Sequence, residues 1–221
     1  MSTSEQQRVA RDIVVIGTSA GGLDALRRVL STIPASIPAA FFIVQHVPET
    51  STSMLPQILA RACDLPVAHA VDGEPVTNGR VYVAPPGRHL MVRDGVVETV
   101  HGPRENRSRP SVDPLFRSAA YWYGTRVIGV ILTGSLDDGT SGLMTVKRCG
   151  GIAVVQDPDD AEFSGMPSSA LQYVPVDFCL PIDAIGPAIV DLITANTIEG
   201  SEPMRPSEYG AASDTTEYEI R

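Results

Sequence analysis

The chain has 221 residues, 43% hydrophobic and 19% charged, with a formal net charge of −9. That size and balance describe one large soluble domain, or one domain with appendages, with enough apolar surface for a two-sided core. The acidic balance argues against a nucleic-acid partner, because phosphate binding needs a basic surface. The apolar runs are too short to span a bilayer. Residues 1–12 are polar and charged and carry no secretory h-region.

Strand-like and helix-like stretches alternate along most of the sequence. The pattern predicts a strand over 12–17, a helix over 21–31, a strand over 41–46, a helix over 52–62 and strands over 67–70 and 80–84. A hairpin follows, 88–93 and 96–101, turning at Asp94-Gly95, a favoured two-residue turn. Next come a helix over 112–122, a strand over 126–132, a helix over 140–148, a strand over 152–155, a short helix near 167–172, a strand over 177–180 and a helix over 183–195. This is the signature of an α/β fold: a doubly wound, mostly parallel, Rossmann-like sheet with helices on both faces. The hairpin is expected to attach to that sheet as a small antiparallel element. Residues 1–11 read as a lead, and 197–221, rich in Glu, Ser, Thr and Pro, as an acidic mobile tail. Cys63, Cys149 and Cys179 form an odd set without a C-x-x-C pair, which favours buried, reduced thiols in a cytoplasmic protein over metal or redox use.

Three apolar strands run straight into chemistry-bearing residues. Ile13-Val14-Val15-Ile16-Gly17 leads to Ser19, Phe41-Phe42-Ile43-Val44-Gln45 leads to His46, and Val127 to Leu132 leads to a turn with Asp137 and Asp138. In an open parallel sheet such strand ends share one crevice. Ser, His and Asp delivered there are the parts of an activated nucleophile. Gly17-Thr18-Ser19-Ala20-Gly21-Gly22 gives G-x-S-x-G-G between a strand and a helix, as in a nucleophile elbow. The competing readings are a structural glycine turn and a dinucleotide fingerprint. The latter needs a glycine where Ser19 stands and an acid where the second strand ends in His46. The backbone N–H of Ala20, at the helix start, is an oxyanion-hole candidate.

His46 is the first choice of base and His89 the alternative. An acid in Thr133-Gly134-Ser135-Leu136-Asp137-Asp138-Gly139 could accept the imidazole N–H, or could simply cap the following helix. Spacing alone does not separate Asp137 from Asp138. Arg104, Arg107 and Arg109 fall within one short segment and are either solvated charges or substrate-facing groups.

Taken together, these motifs resemble the catalytic domain of the CheB-type protein-glutamate methylesterases. The resemblance runs over roughly residues 12–195 and rests on Ile16 to Gly22, Gln45-His46, Ala84-Pro85-Pro86-Gly87-Arg88-His89, Arg109-Pro110-Ser111-Val112-Asp113, Thr133 to Gly139 and Gly165-Met166-Pro167, in consistent order. It implies a cytoplasmic serine hydrolase, over 12–196, that demethylates glutamyl methyl esters on chemoreceptor helices and in many members deamidates glutamines. It implies Ser19 as nucleophile, His46 as base and Asp138 as acid, with backbone donors at Ala20 and Ser135. No metal or organic cofactor is required. Arg107 and Arg109 are candidates for contacting carboxylates beside the substrate side chain.

Two departures are visible. Many members have threonine where this chain has Ala20, and methionine where it has Ser135. The usual chemotaxis enzyme also carries an N-terminal receiver domain, which these 221 residues do not include. The expectation is constitutive activity, control by a separate regulatory protein, or a signalling system other than flagellar chemotaxis. The other functional readings are an esterase or amidase for a different substrate and a non-catalytic binding module.

Overall fold

The computed structural model describes residues 10–50 and 52–195. The expected acidic tail, and the lead up to residue 9, lie outside the described residues. Nine strands form among the described residues: β1 (Ile13–Thr18), β2 (Ala40–Gln45), β3 (Val67–His69), β4 (Arg80–Val83), β5 (His89–Arg93), β6 (Val96–Val100), β7 (Val127–Ile131), β8 (Ile152–Gln156) and β9 (Phe178–Leu180). The helices are α1 (Gly22–Leu30), α2 (Leu55–Leu59), α3 (Val112–Tyr123), α4 (Thr140–Arg148), α5 (Gly165–Tyr173) and α6 (Ile182–Thr194).

Seven strands make one sheet in the order β3-β4-β2-β1-β7-β8-β9, with every pairing parallel. The central strands are apolar at nearly every position because both faces are covered. Val14 and Ile16 join a core with Leu26, Val29 and Leu30 of α1 and Ile185 and Ile189 of α6. Ile13 and Val15 join another with Leu115 and Phe116 of α3 and Leu143 and Val146 of α4. From β1 the chain moves out to β2, crosses to β3 at the edge and comes back to β4 between them. It then returns and winds the other way through β7, β8 and β9. The strand order therefore reverses between β1 and β7, which is where such folds open a crevice at the strand ends.

The structure departs from the sequence reading in three places. The hairpin β5–β6 is a separate two-stranded sheet, not hydrogen-bonded to the large one. Its buried Leu90, Val92 and Val97 pack in the same core as α3, and the Ser118 hydroxyl of α3 accepts the Val92 N–H at 3.1 Å. The helix expected over 52–62 shrinks to Leu55–Leu59, with Pro56 in its first turn. Pro56 has no N–H to donate to the carbonyl of residue 52 and its ring crowds that carbonyl, which opposes extending the helix back to 52. Of the three cysteines expected to be buried, only Cys149 is; Cys63 is half-buried and Cys179 exposed, and all three are free thiols.

Candidate active site

Register places Ser19 and His46 side by side. Thr18, the last residue of β1, is the partner of Gln45, the last residue of β2. Ser19 and His46 are each the next residue, so they leave adjacent strands at the same level. The Ser19 N–H donates to the Thr133 carbonyl just beyond β7, at 3.0 Å. Ser19 therefore sits at the reversal of strand order, with β2 on one side and β7 on the other.

His46 Nδ1 lies 3.1 Å from Ser19 Oγ, and His46 Nε2 lies 2.6 Å from Asp138 Oδ2. The ring is used the opposite way round from the chymotrypsin-type arrangement, where Nε2 faces the serine. The chemistry is unaffected, because either ring nitrogen can accept a proton while the other is held. Asp138 fixes which one. Its Oδ1 accepts from Asn106 Nδ2 at 2.7 Å, Ser111 Oγ at 2.8 Å and the Asp113 N–H at 3.2 Å, while Oδ2 also accepts the Val112 N–H at 2.7 Å. A carboxyl surrounded by so many donors is ionised. It therefore accepts the proton of His46 Nε2, which leaves the Nδ1 lone pair facing the Ser19 hydroxyl.

Burial alone would raise the Asp138 pKa, but hydrogen bonds from His46, Val112 and Asn106 outweigh it and hold the carboxyl below its ordinary value. Two of its donors, Val112 and Asp113, are the first residues of α3, whose positive end favours an anion. The sequence left Asp138 as either an acid or a cap for the helix after it. It is both an acid facing His46 and a cap, but the helix it caps is α3. Asp113 reciprocates: its Oδ1 accepts the Gly142 N–H in the first turn of α4 at 2.6 Å. Burial pushes the Asp113 carboxyl up, partly offset by the hydrogen bonds from Gly142 and Asn106. Asp137 is exposed, and Asp138 is the one of the two that meets His46.

His89, the alternative base, is buried and used internally. Its Nε2 donates to the Pro103 carbonyl at 2.8 Å, and its Nδ1 accepts the Ser111 N–H at 3.3 Å. Among the described residues, no cluster of three or more His, Cys, Asp or Glu side chains is placed to hold a metal.

Beside Ser19 lie the two amides expected to face an oxyanion. A Cβ built on Gly134 would stand 2.9 Å from the Ser19 Cβ, so the turn carrying Ser135 presses directly on the nucleophile. Neither the Ala20 nor the Ser135 N–H has a hydrogen-bond partner among the described residues. A cavity of about 380 Å³ opens beside them, lined by Ser19, Gly21, Leu23, Arg27, Gln45 and Glu162.

The two candidate arginines differ. Arg109 is turned inward: its side chain is only 12% exposed and pairs with Glu49 at 3.1 Å while donating to the Gly102 carbonyl. Arg104 holds the other oxygen of Glu49 at 2.7 Å, and that hydrogen bond is the main reason the Glu49 carboxyl lies below its usual range. Arg109 thus braces the loop after β2 against the loop before α3. Arg107 is exposed and adjoins Asn106.

Gln45, Asn106 and Ser111 had no role assigned from sequence. Gln45 and Ser111 stood within recognised motifs, and that was the available signal. Asn106 had none, since nothing local marks a loop asparagine that meets two distant carboxylates.

Residues 14–189 match the CheB methylesterase family. The chain belongs to that family. It is 41% identical over 182 residues to a protein of Leptospira interrogans, covering 82% of this chain and 94% of that one, whose name provisionally gives protein-glutamate methylesterase/protein-glutamine glutaminase. It is 40% identical over 187 residues to protein-glutamate methylesterase/protein-glutamine glutaminase 2 of Rhodospirillum rubrum and 42% identical over 186 residues to the protein of that name in Anaeromyxobacter dehalogenans. Those matches cover 83% and 84% of this chain but only 51% and 54% of the relatives. The crystal structure of the Thermotoga maritima CheB methylesterase catalytic domain superposes with a TM-score of 0.79 at 36% identity, covering 83% of this chain and all of that one. The catalytic-domain fold of the CheB family is therefore the fold of this chain.

Proposed function

We propose that this CheB-family chain is a serine hydrolase that demethylates glutamyl methyl esters, and deamidates glutamines, on the cytoplasmic helices of chemoreceptors. The observation that carries this reading is the continuous Ser19–His46–Asp138 relay, at 3.1 and 2.6 Å, at the reversal of strand order. Ser19 Oγ attacks the γ-carbonyl carbon and its proton passes to His46 Nδ1. The carbonyl electron pair moves onto oxygen, which the Ala20 and Ser135 N–H groups receive. Asp138 stabilises the imidazolium through Nε2. Collapse of the tetrahedral species breaks the bond to the methoxy oxygen, which takes the proton from Nδ1 and leaves as methanol. Water then attacks the acyl-enzyme by the same proton route, giving the free glutamate. With a glutamine substrate, ammonia leaves in place of methanol.

The carboxyl product and the −9 charge of the chain repel one another, and Arg107 supplies a local cation beside the site. No described helix is long and apolar enough to cross a membrane, in keeping with a cytoplasmic enzyme that meets the receptor below the bilayer. The test is methanol release from a methylated receptor cytoplasmic fragment. The native chain should release it and Ser19→Ala should fall by about 10⁴-fold or more, as removal of a triad nucleophile does elsewhere. Equal rates for the two proteins, or hydrolysis of generic esters with none from the receptor fragment, would overturn this assignment.

A further inference from the structure

We propose that Gln45 is the positioning residue of the oxyanion site, fixing the Ser19–Ala20 peptide so that the Ala20 N–H is aimed before substrate arrives. This inference rests on the acyl-transfer reading above and assigns one more residue to the same site.

Gln45 ends β2, directly opposite Thr18. Its Nε2 donates to the Ser19 carbonyl at 2.6 Å and approaches the His46 carbonyl at 3.2 Å. The Ser19 carbonyl also accepts the Gly22 N–H at 3.0 Å. A carbonyl held from two sides cannot turn. The Ser19–Ala20 bond is trans, since Arg109–Pro110 is the only cis bond among the described residues. In a planar trans peptide the C=O and the following N–H point in opposite directions. Pinning the Ser19 oxygen therefore fixes the direction of the Ala20 N–H, which has no partner among the described residues.

The other candidate donor is built in the same way. The Gly134 carbonyl, in the same peptide unit as the Ser135 N–H, accepts the Met166 N–H at 2.8 Å. There the constraint comes from main chain. At Ser19 it comes in part from a side chain, and so it can be removed.

The remainder of the Gln45 amide supports this role. Oε1 is buried and has no hydrogen-bond partner among the described residues. It lies against Gly22, where a Cβ would stand 2.2 Å from it and 2.3 Å from Thr18 Oγ1. Rotating the amide to satisfy Oε1 would set it against two carbonyl oxygens. An unsatisfied buried acceptor is unfavourable, and here it accompanies the only orientation in which Nε2 can hold Ser19. Glycine at 22 is what leaves room for it.

The test compares native protein, Gln45→Met and Gly22→Ala. Gln45→Met keeps the length and packing but removes the donor. Gly22→Ala keeps the amide but crowds both it and Thr18, so it is a supporting variant to Gln45→Met. Both are expected to lower kcat for methanol release by about 100-fold, the usual effect of losing one oxyanion donor. KM should stay within threefold, and the pH midpoint of the acid limb should not move, because Asp138 and its donors are untouched. Labelling of Ser19 by a fluorophosphonate, whose phosphoryl oxygen uses the same donors, should slow in parallel. That arm is independent of the receptor: if native protein labels rapidly but releases no methanol, the substrate assignment fails while Gln45 is still tested. Gln45→Met within threefold of native in labelling, a loss confined to KM, or an acid limb displaced as though His46 had moved would each overturn the proposal. Should Gln45→Met fail to fold, Gln45→Leu, which also removes the donor, decides the matter by the same three criteria.

Discussion

Asn106 donates to two buried carboxylates from one nitrogen, reaching Asp138 Oδ1 at 2.7 Å and Asp113 Oδ2 at 2.8 Å. A neutral amide suits the position because it bridges two acceptors without adding charge. Its φ of 48° is in the left-handed region, which asparagine adopts more readily than most residues. Asn106→Ala should destabilise the fold by about 2 kcal/mol, the scale of a hydrogen bond to a charged group. It should also lower kcat by about tenfold, since part of that energy orients Asp138. Urea unfolding and initial rates check the two effects separately.

The same residues set a pH dependence with a defined sign. Asp138 titrates below its ordinary value in the folded protein, so the folded state binds fewer protons there than the unfolded chain. Its stabilising contribution is present above the ordinary carboxylate value and is lost as pH falls through the folded one. Native protein should therefore exceed Asp138→Asn in stability at pH 7, with the gap closing below about pH 4. Asp113, raised mainly by burial, acts with the opposite sign: its contribution is present at low pH and lost as pH rises through its raised value. Unfolding curves for both proteins between pH 7 and 3 measure the Asp138 effect, and a gap that widens on acidification would contradict it.

At the scale of elements, the site is held by two helices whose first turns are capped from each other's neighbourhood. Asp138, just before α4, receives the first amides of α3, while Asp113, in the first turn of α3, receives Gly142 of α4. Folding one helix start thus completes the other. Asp113→Ala should cost about 1–2 kcal/mol, as loss of a helix cap does, and should slow turnover by loosening α3 under Asp138. Thermal melts alongside rates check it; an unchanged melting temperature would show that α4 does not depend on this cap.

The strands that lead to Ser19, His46 and the Thr133 turn were legible because their apolar runs end abruptly there. The network around them was not. Capping was readable as an Asp beside a helix start, but the sequence offers no way to know that the carboxylate turns to a different helix. The hairpin was legible from Asp94-Gly95, whereas its detachment from the main sheet is decided by packing on α3. Arg109 read as a solvated or substrate-facing cation; only tertiary structure pairs it with Glu49.

At the scale of the whole molecule, parallel winding outward from β1 in both directions leaves one crevice, and the nucleophile, base and acid loops all open into it. The protein is acidic overall, so a positive contact near the crevice matters for encounter more than for chemistry. Arg107→Gln should lower kcat/KM for a receptor fragment a few-fold while leaving kcat unchanged. Rates measured across substrate concentration at low ionic strength would show this, and an effect on kcat alone would remove Arg107 from substrate binding.

The most direct test is mass-spectrometric mapping of the native protein after brief exposure to a fluorophosphonate. A single adduct on Ser19 is expected, abolished by His46→Gln and strongly slowed by Asp138→Asn. An adduct on another serine, or labelling of Ser19 that is indifferent to both substitutions, would mean that these three residues do not work as one catalytic unit.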